Sequence, residues 1–138
     1  MVRIFFDSSS FFKRYVSETG SGEVARLCLR ADEIGLCILC VPEFVSALCR
    51  VHREGRISPH RMRASRTAFF SDIRDASICD LTPPVVGKAV DLLEQHVLRA
   101  MDAIHVACAL EWKADVFVSG DKRQLAAAQT AGLETVAV

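Results

Sequence analysis

Two kinds of segment alternate along this chain, and each has its own pattern of apolar and polar residues. Short, almost continuous apolar runs are typical of buried parallel strands, and segments with apolar residues three or four positions apart are typical of amphipathic helices. We interpret the apolar runs at residues 2–6, 34–41, 77–81, 115–119 and 134–138 as strands. We interpret the periodic segments at residues 7–16, 23–31, 42–54, 58–75, 84–96, 100–113 and 121–131 as helices.

The alternation of strands with helices predicts the fold class. Strands that alternate with helices form parallel sheets that are covered by helices on both faces. The pattern therefore predicts an α/β fold with a central parallel sheet of about five strands. The connections are short and no linker or repeat is visible, so residues 1–138 are predicted to form a single domain.

Composition and charge narrow the class of protein. Hydrophobic residues make up 51% of the 138 residues, which suits a packed core and argues against disorder. The formal net charge is zero, so any contact with nucleic acid must come from a local basic patch. Met1 leads directly into a strand with no visible secretory signal, and no apolar run reaches transmembrane length. We therefore expect a cytoplasmic protein without membrane contact.

Six cysteines raise the question of a metal site. Cys37 and Cys40 have the spacing of a zinc-binding pair, but no second Cys or His pair completes a set of ligands. Both lie in an apolar run that we interpret as a strand, where positions three apart face opposite sides. We therefore predict that they are buried core thiols.

Four acidic residues occupy the places where the chemistry of such a fold is expected. In open α/β sheets, sites form beyond the carboxyl ends of the strands. Asp7 ends the first strand, Glu43 begins the helix after the second, Asp121 follows the fourth, and Asp102 lies near the start of the sixth helix. Carboxylates that meet would repel one another, and a divalent cation would resolve the conflict. Hard oxygen ligands favour Mg²⁺ or Mn²⁺, which can activate water and stabilise charge on a phosphate.

Each of these acids also has a purely structural interpretation. Asp7 and Asp121 could be helix N-caps, and Glu43 and Asp102 suit the positive end of a helix dipole. Ser8, Ser9 and Ser119 neighbour the acids, and they could cap helices or orient a carboxylate. His105 lies one helical turn after Asp102; a hydrogen-bonded structural histidine is the interpretation we favour over a metal ligand or a proton shuttle. Both kinds of interpretation stay open at this point.

Four segments together resemble a known family. They are residues 4–13 around Asp7, 41–48 around Glu43, 98–107 with Asp102-Ala-Ile-His105, and 116–123 with Ser119-Gly-Asp121. In this order they resemble PIN domains, and in particular the VapC-type toxins of bacterial toxin–antitoxin pairs. The resemblance spans nearly the whole chain, and its most specific part is the Asp-Ala-Ile-His segment with Ser-Gly-Asp downstream.

The resemblance implies an activity and a set of partners. It implies a single PIN-like nuclease domain that cleaves RNA by a water activated by Mg²⁺ or Mn²⁺, leaving a 5′ phosphate and a 3′ hydroxyl. Asp7, Glu43, Asp102 and Asp121 match the four acidic positions of the family, which bind metal and carry catalysis, with Ser9 and Ser119 in support. It further implies homodimerisation and a small antitoxin that blocks the site. Apolar surface on the first, second and fourth helices is the place we expect the antitoxin to bind.

The RNA would need cations close to the acids. Lys13 and Arg99 lie closest to them in sequence, and Arg50 and Arg53 follow Glu43 on the third helix. They open a longer basic stretch made up of Arg50, His52, Arg53, Arg56, His60, Arg61, Arg63 and Arg66. Such a stretch can neutralise phosphates, or it can be the solvated face of a helix hairpin. The target RNA does not follow from the sequence.

Other classes of protein fit less well. A haloacid-dehalogenase-like phosphohydrolase would need an acid two positions after Asp7, where the chain has Ser9. The segment from Gly20 to Ala25 imitates a dinucleotide-binding fingerprint, but it follows a helix instead of a strand. A non-catalytic protein that kept the fold remains an alternative, and the complete set of acids argues against it.

Overall fold

The structure is a computed structural model that describes all residues from Met1 to Val138. Its five strands and seven helices alternate much as the apolar pattern predicts. In chain order they are β1 (Arg3–Phe6), α1 (Ser8–Phe12), α2 (Ser21–Arg30), β2 (Glu33–Cys37), α3 (Cys40–Arg53), α4 (Pro59–Asp72), β3 (Ser77–Cys79), α5 (Pro83–Gln95), α6 (Ala100–Trp112), β4 (Val116–Ser119), α7 (Lys122–Thr130) and β5 (Glu134–Ala137).

All five strands pair in parallel, in the order β3-β2-β1-β4-β5. The register places Phe6 of β1 beside Val118 of β4, so both central strands end at the same edge of the sheet. The residues that follow these two strands, Asp7 and Gly120, therefore lie close together in space. Carboxyl ends of parallel strands are the usual place for a site in this fold.

Helices cover both faces of the sheet, because side chains alternate along each buried strand. Ile4 and Phe6 face a layer that contains α1, α2, α3 and α4, whereas Phe5 faces the layer of α5, α6 and α7. The first layer includes a cluster of aromatic rings from Phe11, Tyr15, Phe44 and Phe69. The predicted α/β class, the parallel sheet and its two helical layers are thereby confirmed.

The largest difference from the predicted elements lies after β2. The apolar run at residues 34–41 looks like one strand, but the strand ends at Cys37 and α3 begins at Cys40. An apolar run cannot distinguish a buried strand from the buried first turn of a helix, and this run contains both. Cys37 and Cys40 are free thiols that face opposite layers, as predicted for core residues.

Smaller differences occur at helix ends. α1 has only five residues and ends at Phe12, with turns continuing the path toward Tyr15. α4 ends at Asp72, three residues before the predicted end. None of the seven helices combines the length and the hydropathy needed to cross a membrane.

Candidate active site

A cavity of about 600 Å³ opens at the carboxyl ends of the two central strands, and all four predicted acids line it. Asp7 is the N-cap of α1 and Asp121 is the N-cap of α7. Glu43 and Asp102 lie in the first turns of α3 and α6. Four helices that start at one edge of the sheet thus bring together acids from positions 7 to 121.

Asp7 is the most deeply buried of these acids, with only 1% of its surface exposed. The backbone N–H of Ser10 donates to its Oδ1, and the Ser119 hydroxyl donates to its Oδ2 at 2.7 Å. Ser119 Oγ also accepts a hydrogen bond from the backbone N–H of Asp121 at 2.9 Å. One hydroxyl therefore links the acid after β1 to the acid after β4.

Glu43 is held by two donors on the same oxygen. The Ser8 hydroxyl and Nε2 of His105 each lie 2.7 Å from its Oε1. Burial of the Glu43 carboxyl raises its pKa, but the hydrogen bonds from His105 and Ser8 outweigh burial, so the pKa is below its usual value. Burial lowers the pKa of His105, whereas the hydrogen bond to Glu43 and nearby negative charge raise it by more. Both shifts favour an ionised carboxylate next to an imidazolium.

Each carboxylate oxygen of Asp102 contacts one side chain, a buried one at Oδ1 and an exposed one at Oδ2. The amide Nε2 of Gln124 donates to its Oδ1 at 3.1 Å, and Nε of Arg99 lies 3.3 Å from its Oδ2. The Gln124 side chain is 4% exposed, and its Oε1 has no hydrogen-bond partner. Gln124 was not among the predicted site residues, although its place three residues after Asp121 puts it one helical turn along from that acid.

The two serines that were predicted as supporting residues have different surroundings. Ser119 is fully buried and contacts Asp7, whereas Ser9 lines the cavity with an exposed side chain. The hydroxyl that contacts Glu43 belongs to Ser8, which was one of three serines expected either to cap a helix or to orient a carboxylate, but was not among the two predicted supporting residues. Side-chain direction on the short helix α1 decides between Ser8 and Ser9, and that direction depends on where α3 and α6 lie.

The acids suit a divalent cation by their chemistry more than by their present spacing. No group of three or more His, Cys, Asp or Glu side chains is close enough to form a ready-made metal site. Like charges repel, and each carboxylate is held by donors of its own. Even so, the donors that face the cavity are hard oxygens, which Mg²⁺ and Mn²⁺ prefer, and Gln124 Oε1 adds a buried oxygen without a partner. The residues therefore fit the predicted cation.

Four basic side chains line the same cavity: Lys13, Arg50, Arg56 and Arg99. Arg53, which was also predicted to bind RNA, lies outside it with an exposed side chain.

Other cations of the basic stretch contact the protein itself. Nη2 of Arg61 donates to the backbone carbonyl of Tyr15 at 3.4 Å, and the guanidinium of Arg66 lies 4.8 Å from the ring centre of Phe70. The basic stretch is thus divided between cavity and structural contacts.

Comparison with known proteins agrees with this architecture. The family model described as "PIN domain" matches residues 4–130. The chain belongs to the PIN domain family. Among curated proteins, it is 29% identical over 110 residues to Ribonuclease VapC45 of Mycobacterium tuberculosis, covering 80% of this chain and 76% of the relative.

Solved structures share the fold at low sequence identity. Mycobacterium tuberculosis VapC20, described as a sarcin-ricin loop cleaving toxin, superposes with a TM-score of 0.71 at 17% identity, covering 98% of this chain and 99% of that one. A toxin–antitoxin complex from Klebsiella pneumoniae gives a TM-score of 0.68 at 12% identity, covering 89% and 90% of the two chains. At these identities the likeness supports the PIN domain fold alone.

Proposed function

We propose that this PIN domain is a divalent-metal-dependent endoribonuclease and the toxin of a VapC-type toxin–antitoxin pair. The observation that carries the proposal is the convergence of Asp7, Glu43, Asp102 and Asp121 on one cavity at the carboxyl ends of the central strands. The curated relative is named a ribonuclease, and the family resemblance implies cleavage of RNA with a divalent cation. Both agree with the proposal.

Asp7, Glu43, Asp102 and Asp121 are the residues that would hold Mg²⁺ or Mn²⁺. When bound, the cation supplies an activated water and stabilises charge that develops on the phosphate. Ser119 orients Asp7 and the start of α7 through its two hydrogen bonds, and Gln124 orients Asp102. Cleavage of the bond between phosphorus and the 3′ oxygen then leaves a 5′ phosphate and a 3′ hydroxyl.

Lys13, Arg50, Arg56 and Arg99 would hold the RNA backbone. Arg50 follows Glu43 by two turns of α3, a distance of about 10 Å along the helix axis. At that distance Arg50 would contact a phosphate farther along the RNA strand than the phosphate that lies next to the acids. Arg56 pairs with Glu18 at 3.8 Å and with Glu54 at 3.5 Å, so an RNA phosphate would have to compete with two carboxylates for it.

The proposal includes an antitoxin and a second copy of this chain as partners. One of the solved structures with this fold is a toxin–antitoxin complex. Large apolar side chains are exposed on α5, at Val86, Val90 and Leu93, and at Leu29 on α2. α1 and α4, where we had expected part of the antitoxin surface, bury their large apolar side chains wholly or in part.

The test is cleavage of a mixed RNA pool by purified, partner-free protein with Mg²⁺ or Mn²⁺, and again with EDTA. We expect cleavage that needs the metal and falls at least 100-fold in Asp7→Asn and Asp102→Asn, since each variant removes a charged ligand. Asp91→Asn is the matched control, because Asp91 is an exposed acid on α5 away from the cavity.

Circular dichroism would first establish that all three variants are folded. Equal cleavage by wild-type protein and both cavity variants would reject the proposal and indicate a contaminant. Cleavage that persists in EDTA would reject the metal. Sequencing of the cut ends checks the 5′ phosphate and 3′ hydroxyl.

A further inference from the structure

The side chain of His105 makes a hydrogen bond to another helix, in addition to the backbone hydrogen bonds of α6. Its side chain is 2% exposed on α6, and its Nε2 lies 2.7 Å from Oε1 of Glu43 on α3. An ionised carboxylate can only accept, so the ring nitrogen must carry the proton that is shared. The two residues are 62 positions apart, and the hydrogen bond ties the helix of one cavity acid to the helix that bears Asp102.

The contact leaves the two oxygens of Glu43 in different situations. His105 and the Ser8 hydroxyl both approach Oε1, each at 2.7 Å. With Oε1 fixed from the interior by α1 and α6, Oε2 is the oxygen left for a ligand in the cavity. A carboxylate without such donors would rotate about its side-chain torsions, and it would lose entropy whenever a cation bound.

The other ring nitrogen indicates that the Glu43 contact decides how the ring is oriented. Nδ1 of His105 is buried and has no hydrogen-bond partner. A buried polar atom without a partner costs free energy. A histidine that only filled space could be replaced by leucine without that cost, whereas one that must reach Glu43 has to accept it.

We propose that His105 is a positioning residue, which holds Glu43 through Oε1 so that Oε2 is presented to the divalent cation. The proposal rests on the proposed function, since Glu43 is one of the residues assigned there to the metal. His105 itself need not touch metal or RNA. Ser8 contributes the second donor, and its loss alone leaves the His105 hydrogen bond in place.

The experiment measures Mn²⁺ binding by isothermal titration calorimetry, without RNA. His105→Leu removes the donor at similar volume, and His105→Gln keeps an N–H that can reach Glu43. We expect Mn²⁺ affinity to fall about 10- to 100-fold in His105→Leu, as is usual when a residue that orients a metal ligand is lost. His105→Gln should recover most of the loss.

Two controls separate positioning from general damage to the fold. Val106→Ala truncates a fully buried neighbour on α6 that faces the core, so it should lower the melting temperature and leave Mn²⁺ affinity unchanged. In a Glu43→Ala background, His105→Leu should weaken Mn²⁺ binding by less than about threefold, because an effect that passes through Glu43 cannot be lost twice.

Wild-type affinity in folded His105→Leu, or an undiminished effect in the Glu43→Ala background, would overturn the proposal. If wild-type protein binds no Mn²⁺, the metal of the proposed function fails, and crystal structures decide about His105 separately. Glu43 displaced in His105→Leu but not in His105→Gln supports the positioning role, and Glu43 unmoved in both contradicts it.

Discussion

At the scale of single residues, the same side chains serve both local structure and the geometry of the site. Asp7 caps α1 through Oδ1 while its Oδ2 accepts from Ser119 at the cavity. Asp121 caps α7 by accepting from the backbone N–H of Arg123 while it lines the same cavity. An N-cap needs only one carboxylate oxygen. The structural interpretation of these acids is therefore correct and is compatible with the proposed one.

Tyr15 shows the effect of burial on a single ionisable group outside the cavity. Its hydroxyl donates to Oδ2 of Asp72 at 2.7 Å, and its ring packs against Phe11, Phe44 and Phe69. Burial and the negative charge of Asp72 raise the pKa of Tyr15 well above its ordinary value. The folded protein thus keeps this phenol neutral at pH values where an unfolded chain ionises it.

This difference predicts how stability depends on pH. The hydrogen bond contributes fully below about pH 10, where an unfolded tyrosine is neutral, and the contribution is lost as pH rises further, because only the unfolded state ionises. Tyr15→Phe should cost about 1–3 kcal/mol at pH 7, as loss of a hydrogen bond to a charged acceptor does. The difference between wild type and Tyr15→Phe should shrink above about pH 10.

Urea unfolding from pH 7 to 11 measures this difference. Tyr15 is the only tyrosine, so tyrosinate absorbance near 295 nm reports on it alone. Tyrosinate that forms in the native protein near pH 10, before unfolding, would contradict the prediction.

At the scale of elements, the packing of α6 on strand β2 depends on a residue without a side chain. A Cβ added to Gly35 would lie 2.7 Å from two ring carbons of Trp112 and 2.9 Å from a ring carbon of Phe5. The guanidinium of Arg3 also lies over the Trp112 ring, 4.1 Å from its centre. α6 can therefore approach the sheet closely only where β2 has glycine.

Two identical substitutions should consequently act in opposite directions. Gly35→Ala should destabilise the protein by about 1–3 kcal/mol, because the half-buried ring of Trp112 must move. Gly87→Ala, inside α5 with no atom within 4 Å of the new Cβ, should stabilise it by about 0.5–1 kcal/mol. Urea unfolding followed by the fluorescence of Trp112, the only tryptophan, measures both. A Gly35→Ala variant as stable as the wild type, or more stable, would show that the Cβ is accommodated and that β2 does not need glycine at this position.

Patterns within elements explain what the sequence could predict, and contacts between elements explain what it could not. The places of Asp7 and Asp121 follow from strand ends, which apolar runs reveal, and that of Glu43 follows from the first turn of the helix α3. The hydrogen bonds of Glu43 with His105 and of Asp102 with Gln124 depend on how helices dock, and no local pattern encodes docking. The end of β2 was missed for a related reason, since Cys40 is apolar whether the backbone there is extended or helical.

At the scale of the whole molecule, the zero net charge includes a cavity in which charges of both signs are concentrated. Five acids, the four predicted ones and Glu18, line this cavity together with four cations. RNA held only at this cavity would contact few cations. Binding should therefore depend on salt much less steeply than in a protein with a broad basic surface.

The salt dependence can be predicted from the cavity. Each phosphate contact on a single strand contributes about 0.7 to the slope of log affinity against log salt, so four contacts predict a slope of about −3.

Arg50→Ala should reduce the steepness of this slope by about 0.7, because Arg50 lines the cavity. Arg53→Ala should leave the slope unchanged, because Arg53 lies on the same helix but outside the cavity. Fluorescence anisotropy with labelled oligouridine measures all three slopes, in a Glu43→Gln background for which the proposed function predicts no cleavage. An Arg53→Ala effect as large as that of Arg50→Ala would mean that RNA follows the exposed face of α3 and not the cavity.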